Sequence, residues 1–172
     1  GGQPVSLENI KAVRDLSNKY GIPVYFDSAR FAENAYFIKQ GEDGQQNRII
    51  KEICKEIFSY GDGMTMSSKK DGLVNIGGFI ALNSEEIYRK ASNFTIIYEG
   101  FITYGGLSGR DMAALAVGLD EATEFGYLKS RISQVEYLGN QLIEMGIPVQ
   151  RPIGGHAVFV DALKFLPNVK RE

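Results

Sequence analysis

Apolar residues recur along the chain in two patterns, one with the spacing of helices and one of short continuous runs. A first helix is predicted after Ser6, a residue type that caps helix N-termini, because the apolar positions that follow recur every three residues. These positions are Ile10, Val13 and Leu16. Gly21 ends this pattern, as glycine commonly does at a helix C-terminus.

The rest of the chain continues the alternation of helical patterns and apolar runs. Helices are predicted over residues 48–59, after Ser84, over about 110–124 and over about 127–146. Strands are predicted at residues 24–27, 63–67, 78–82 and 156–162. Short apolar strands that alternate with amphipathic helices are typical of an α/β layered domain with a largely parallel sheet.

Two polar segments follow predicted strands, where ligands collect in sheets of this kind. Asp27 ends the first strand, and residues 67–70, Ser-Ser-Lys-Lys, follow the strand at 63–67. A pair of lysines is usually an exposed pair of loop charges, but a position at a strand end favours a functional interpretation. Asp27 either caps the next helix and is neutralised by Arg30, or holds a cationic ring nitrogen of a cofactor.

Composition is that of an ordinary globular domain. The 172 residues are 44% hydrophobic and 23% charged, with a net charge of -2, which argues against a general nucleic-acid binder. No apolar run approaches the roughly 20 residues of a membrane span, and the start of the chain does not resemble a signal peptide. Cys54 is the only cysteine, and we expect it in the core of a cytoplasmic protein.

The two polar segments together contain the groups that a pyridoxal phosphate site needs. Such a site requires a lysine for the Schiff base, a carboxylate for the pyridinium nitrogen and donors for the phosphate. Asp27 and the Ser-x-x-Lys pattern from Ser67 to Lys70 can supply all three. By itself this pattern has low specificity.

Longer stretches carry a resemblance to a known family over essentially the whole chain. They read GGQPVSLENIKAVRDL, DSARFAENAYFIK, MTMSSKKDGLVNIGG, YEGFITYGGLSGRDMAA and GGHAVFVDA. The chain thereby resembles tryptophanase and tyrosine phenol-lyase, the pyridoxal-phosphate β-eliminating lyases of aminotransferase fold type I. The resemblance implies a three-layer α/β fold with a largely parallel sheet, in which residues 1–172 form the central part of the large, cofactor-binding domain.

The resemblance also assigns roles to individual positions. Lys70 corresponds to the Schiff-base lysine, and Asp27 to the partner of the pyridine nitrogen. Arg30 corresponds to the residue beside the phenolic oxygen of the cofactor, and Ser67 to a serine that contacts the phosphate. Lys69 falls near the phosphate and near a monovalent-cation site.

The same family binds a potassium or ammonium ion and assembles from identical subunits. At the position of Asn75, a backbone carbonyl binds the cation. The resemblance further implies a homotetramer in the complete protein, with no nucleic-acid or membrane partner.

Several other positions keep two interpretations. His156, the only histidine, either satisfies nearby backbone at a strand end or lies near the substrate. Tyr104 either serves the site or packs over a glycine turn. The glycines around it resemble a phosphate loop superficially, and a tight turn before the helix at 110 explains them: Gly105, Gly106 and Gly109.

The implied reaction is β-elimination from an aromatic amino acid, with Lys70 as the base at Cα and with pyruvate and ammonia as products. FDSARF, where phenol-lyases tend to carry DATR, and Phe101, where they tend to carry methionine, favour tryptophanase. Tyrosine phenol-lyase is the alternative, and a catalytically silent domain is a second one.

Members of this family are usually more than twice as long as the chain. The segments that complete their phosphate loop, and the small domain that binds the substrate carboxylate, have no counterpart in these 172 residues. We therefore predict that the chain alone binds the cofactor weakly, is inactive, and exposes apolar surface that favours self-association.

Overall fold

A computed structural model describes residues 3–169. Residues 1, 2 and 170–172 of the predicted domain lie outside this part, and with them the first two residues of the GGQPVSLENIKAVRDL motif. The helices and strands are, in chain order, α1 (Leu7–Tyr20), β1 (Tyr25–Asp27), α2 (Phe31–Gly41), α3 (Ile50–Ser59), β2 (Gly63–Ser67), β3 (Gly78–Leu82), α4 (Glu85–Tyr98), α5 (Gly109–Glu121), α6 (Phe125–Glu144) and α7 (Ala162–Phe165).

The predicted helix ends are confirmed by their capping geometry. The Ser6 hydroxyl accepts a hydrogen bond from the Asn9 N–H at 3.1 Å and so caps α1. Gly21 ends α1 with φ +63°, a left-handed conformation that is costly for other residues. Ser84 likewise caps α4 by accepting from the Ile87 N–H at 3.3 Å.

The hydrophobic core lies among α1, α2, α3 and α6. Its buried members are Leu7, Ile10, Ala32, Ala35, Ile38, Ile50, Ile53, Cys54, Ile57, Ala122, Leu128 and Ile132. Cys54 is only 5% exposed, which confirms its predicted place in the core. Burial raises the pKa of its thiol to about 12, so the sulfur stays protonated and unreactive near neutral pH.

The sheet differs from the predicted largely parallel one. Its order is β1-β2-β3, with β1 parallel to β2 and β2 antiparallel to β3. Only residues 68–77 connect β2 to β3, and a parallel crossover needs about a dozen residues or more. The prediction of a largely parallel sheet is therefore wrong for the described residues, because the short connection enforces an antiparallel return.

The strands are also less covered than predicted. Tyr25 and Asp27 of β1 are exposed, although a continuous apolar run such as residues 24–26 is typical of a buried strand. Met66 is the only buried residue in the three strands. Strands covered on both faces would be largely buried, so a three-layer arrangement is not seen within residues 3–169.

The late strand predicted at 156–162 is wrong. Val160 forms only an isolated bridge with Val149. The chain then turns, because the Asp161 carboxylate accepts from the Leu163 N–H at 3.2 Å and from the Lys164 N–H at 3.3 Å, which starts α7.

Apolar side chains are exposed along α4, none of whose residues is buried. Phe94, Ile97 and Tyr98 are 61%, 70% and 75% exposed. The predicted exposure of apolar surface is thus confirmed for the described residues. None of their helices is long and apolar enough to cross a membrane.

Candidate functional site

The parallel pairing of β1 with β2 brings two polar segments to the same edge of the sheet. Asp27 is paired in register with Thr65, and the Ser28 N–H donates to the Thr65 carbonyl at 2.8 Å. Residues 67–70 begin where β2 ends. The two segments therefore lie together, because neighbouring parallel strands end at the same edge.

A cavity of about 460 Å³ lies at this edge. Three of the predicted site residues line it: Asp27, Arg30 and Lys70. His156, one of the residues with two interpretations, also lines it. Chain positions more than a hundred residues apart thus share one cavity that is large enough for a small organic ligand.

The Lys70 amine is half-buried at the wall of this cavity. Its Nζ donates to the Ser67 Oγ at 2.6 Å, so the predicted Ser-x-x-Lys pair is in direct contact. Lys69 and Asn75 are exposed and do not line the cavity. The geometry therefore separates the two adjacent lysines, because only Lys70 reaches the cavity with Asp27.

The interpretation of Asp27 as a helix cap is wrong. Its Oδ1 accepts only a long hydrogen bond from the Ala29 N–H, at 3.4 Å, and Arg30 occupies the N-cap position of α2. Arg30 does not neutralise Asp27 either, since the Arg30 Nε lies 3.9 Å from the Glu33 Oε2. The Asp27 carboxylate thus remains available to the cavity.

A buried acidic residue, Glu33, lines the cavity and forms the centre of an ion cluster, and sequence reasoning missed it. Its side chain is 5% exposed and pairs with the Arg131 guanidinium through Oε1. Its Oε2 lies 3.2 Å from the His156 Nδ1, and Arg131 also donates to the Gly155 carbonyl at 3.1 Å. The sequence offered one signal, a carboxylate that directly follows the apolar residues Phe31 and Ala32.

We expect Arg131→Ala to destabilise the chain by about 2 kcal/mol, because the buried Glu33 carboxylate loses a charged partner and keeps only its neighbours Arg30 and His156. Urea unfolding monitored by circular dichroism measures the effect. Arg89→Ala is the matched control, since its pair with Glu85 is exposed and should contribute less than about 1 kcal/mol. Equal losses for the two variants would contradict a structural role for the buried cluster.

Asp71 is the second functional candidate that sequence reasoning missed. It directly follows Lys70, is 5% exposed, and its Oδ2 accepts from the Ala32 N–H at 2.8 Å and from the Glu33 N–H at 3.1 Å. Asp71 therefore caps α2 from a distant part of the chain. Burial is the main cause that raises the pKa of its carboxyl to about 6, and the Glu33 charge also raises it. The two backbone donors and the Arg131 charge lower this pKa, but by less.

The segment around Tyr104 lies apart from the cavity. Tyr104 is 46% exposed and does not line the cavity. Gly105 and Gly106 have φ +52° and +77°, and a Cβ at Gly106 would lie 2.7 Å from the Glu99 carbonyl oxygen. The interpretation of these glycines as a tight turn before α5 is confirmed.

The residues around the cavity fit pyridoxal phosphate in their chemistry. The Arg30 Nε and the Ser28 Oγ are buried and have no hydrogen-bond partner within the described residues. Unpartnered buried donors are costly unless a ligand satisfies them. An amine, a carboxylate and unpartnered donors around one cavity match the aldehyde, ring nitrogen and anionic oxygens of this cofactor.

Relatives of the chain share more than half of its residues. The chain is 63% identical over 172 residues to a "Probable beta-eliminating lyase" of Trichomonas vaginalis, covering 100% of the chain and 38% of that protein. It is 55% identical over 172 residues to a tyrosine phenol-lyase of Fusobacterium nucleatum, covering 100% and 37%. It is 55% identical over 169 residues to a tryptophanase of Salinibacter ruber, covering 98% and 36%. The chain thus spans less than two fifths of the length of these relatives.

Solved structures show the same fold at low sequence identity. A protein of Exiguobacterium sp. 255-15, named as a candidate aromatic amino acid beta-eliminating lyase/threonine aldolase, matches with a TM-score of 0.65 at 16% identity. The match covers 91% of this chain and 39% of that protein. A candidate L-allo-threonine aldolase of Listeria monocytogenes matches with the same TM-score at 18% identity.

The model of the protein family described as "Beta-eliminating lyase" matches residues 1–166, which is nearly the whole chain. Members of that family depend on pyridoxal phosphate. The shared cavity and the close relatives agree with this match. The chain belongs to the beta-eliminating lyase family.

Proposed function

We propose that the chain is the cofactor-binding central part of a pyridoxal-phosphate-dependent lyase that converts tyrosine and water into phenol, pyruvate and ammonia. The observation that carries this proposal is the cavity shared by Lys70, Asp27 and Arg30. Membership of the beta-eliminating lyase family supports the reaction class. Because the chain covers about 37% of its relatives, the complete protein requires further segments for this activity.

The choice of tyrosine departs from the sequence expectation, which favoured tryptophan. Among similar relatives, tyrosine phenol-lyase is a more frequent name than tryptophanase, and this favours the alternative substrate. Phe101, one basis for the earlier preference, is 54% exposed and does not line the cavity. The other feature that favoured tryptophanase is the FDSARF segment, and its Ser28 does line the cavity. Tryptophan therefore stays the second candidate substrate, with indole as the product.

Five residues would hold the cofactor: Asp27, Arg30, Ser67, Lys69 and Lys70. When bound, pyridoxal phosphate supplies an aldehyde for a lysine and an electron-withdrawing ring beside the substrate Cα. The Asp27 carboxylate would keep the ring nitrogen protonated, and the Arg30 guanidinium would face the phenolic oxygen. The Ser67 hydroxyl, 2.6 Å from the Lys70 Nζ, would donate to the phosphate once the amine has moved.

Lys70 would then carry the proton from the substrate Cα. Its amine is half-buried beside Ser67, and a positioned base typically contributes about 10²–10⁴-fold to such a transfer. Lys69, which is exposed, would contribute positive charge near the phosphate. The Asn75 carbonyl remains our candidate for a potassium or ammonium ion, and a homotetramer remains our candidate assembly.

Reductive labelling tests the proposal directly. We expect incubation of the chain with pyridoxal phosphate and borohydride to fix the cofactor as a secondary amine on Lys70, with loss of one water. Peptide mapping by mass spectrometry locates the label. Labelling concentrated on Lys70 supports the proposal, whereas equal labelling of Lys69 and of exposed lysines such as Lys55 would indicate a catalytically silent domain.

We expect Asp27→Asn to lower turnover at least about a hundredfold, because a neutral amide no longer stabilises positive charge on the ring nitrogen. The test uses a chimera in which the chain replaces the aligned segment of the Fusobacterium tyrosine phenol-lyase, with pyruvate release as the measurement. Asp15→Asn, an exposed change on α1, is the matched control. Near-normal turnover in the Asp27 variant would contradict its assigned role.

A further inference from the structure

The segment that carries Lys70 is tied to the start of α2 by bonds in both directions. The Asp71 carboxylate accepts from the Ala32 and Glu33 N–H groups at 2.8 and 3.1 Å. In return, the Asp71 N–H donates to the Ala29 carbonyl at 3.2 Å. Three hydrogen bonds therefore join the residue after Lys70 to the segment that begins with Asp27.

The other side of the same segment packs tightly on α5. Gly118 of α5 is buried, and a Cβ there would overlap the Gly72 carbonyl oxygen. Leu73 has φ +57°, a left-handed conformation that is unfavourable for a leucine. Such a conformation persists only where the surroundings hold it, so residues 71–73 are fixed from both sides.

We propose that Asp71 is a positioning residue, whose carboxylate fastens the Lys70 segment to the N-terminus of α2 and so holds the Lys70 amine in the cavity beside Asp27 and Arg30. The inference rests on the proposed function, because it gives Asp71 a role only if Lys70 is the residue that binds the cofactor. Asp71 itself does not line the cavity.

The geometry distinguishes the acceptor role of Asp71 from its charge. Both hydrogen bonds from α2 end on the same oxygen, Oδ2, and an asparagine carbonyl oxygen can accept both of them. Asp71→Asn therefore keeps these two bonds and removes the charge, whereas Asp71→Ala removes both of them and leaves only the backbone bond to the Ala29 carbonyl. Since burial disfavours the charged carboxyl, the asparagine variant should fold as well as the parent chain.

The test measures where pyridoxal phosphate and borohydride label the 172-residue chain. We expect Asp71→Ala to lower the ratio of label on Lys70 to label on Lys69 by about tenfold to a hundredfold, because a misplaced group loses its effective concentration. We expect Asp71→Asn to keep the ratio within about twofold of the parent value, by the same argument. Ser84→Ala, which removes the cap of α4 away from the cavity, is the matched control for the loss of a helix cap.

Each outcome decides a separate point. If the parent chain is not labelled preferentially on Lys70, the proposed function fails. If the parent is so labelled and folded Asp71→Ala keeps its ratio, the positioning role is overturned while the function stands. If Asp71→Ala does not fold, Asp71→Asn decides: a retained ratio supports positioning through the accepted hydrogen bonds, and a lost ratio overturns it.

Discussion

The 172-residue chain alone is expected to release no measurable phenol, indole or pyruvate from tyrosine or tryptophan. Positioning of a bound substrate can supply roughly 7–11 kcal/mol of barrier reduction, which corresponds to at least about 10⁵-fold in rate. The described basic side chains at the cavity are Arg30, Lys70 and His156. Lys70 is assigned to the cofactor, and the other two lie beside the buried Glu33 carboxylate, so none is left to fix the substrate carboxylate.

The chimera with the Fusobacterium tyrosine phenol-lyase provides the comparison for this result. The chimera contains the segments of the Fusobacterium protein that the chain does not cover, since the chain spans only 37% of that protein's length. Pyruvate release coupled to lactate dehydrogenase is measured for the chain and the chimera at equal concentration, with pyridoxal phosphate in excess. Steady pyruvate production by the chain, abolished in its Lys70→Ala variant, would contradict the prediction and show a self-contained site.

Lys70→Ala is expected to lower the turnover of the chimera by about 10²–10⁴-fold, because the variant loses the base that carries the Cα proton. Reductive labelling at position 70 should disappear in the same variant. Both effects follow from the place of Lys70 at the cavity wall, where its Nζ lies 2.6 Å from the Ser67 Oγ.

The control for this variant is Lys55→Ala, which removes an exposed lysine from α3. Its turnover should match that of the parent chimera, and its unfolding midpoint in urea should be unchanged. Turnover of the Lys70→Ala variant within about tenfold of the parent rate would mean that another group removes the proton, and the assignment of Lys70 as the base would then be wrong.

Local sequence patterns determined five of the described helices, but not the bounds of α2 and α7, and they also pointed to the edge of the sheet that carries the site. The caps at Ser6 and Ser84 and the end at Gly21 depend on neighbouring residues alone, and all three are confirmed. Asp27 and the residue 67–70 segment were singled out because predicted strands end there, whereas the choice of Lys70 over Lys69 came from the family resemblance. The late strand failed because alternating apolar residues cannot show whether a partner strand lies beside them.

Only the tertiary structure decided which charged residues support the site. Glu33 and His156 are 123 positions apart in the chain. Asp71 caps α2 through the N–H groups of Ala32 and Glu33, which lie 39 and 38 positions before it. No local period encodes such contacts, and an acidic residue read from the sequence is most often exposed. Packing of α2 against α6 and against residues 71–73 buries these carboxylates. The sequence by itself therefore determined the elements whose ends depend on neighbouring residues, such as the capped helices α1 and α4. Packing determined the ion cluster and the fastening of Lys70, because both join residues that are far apart in the chain.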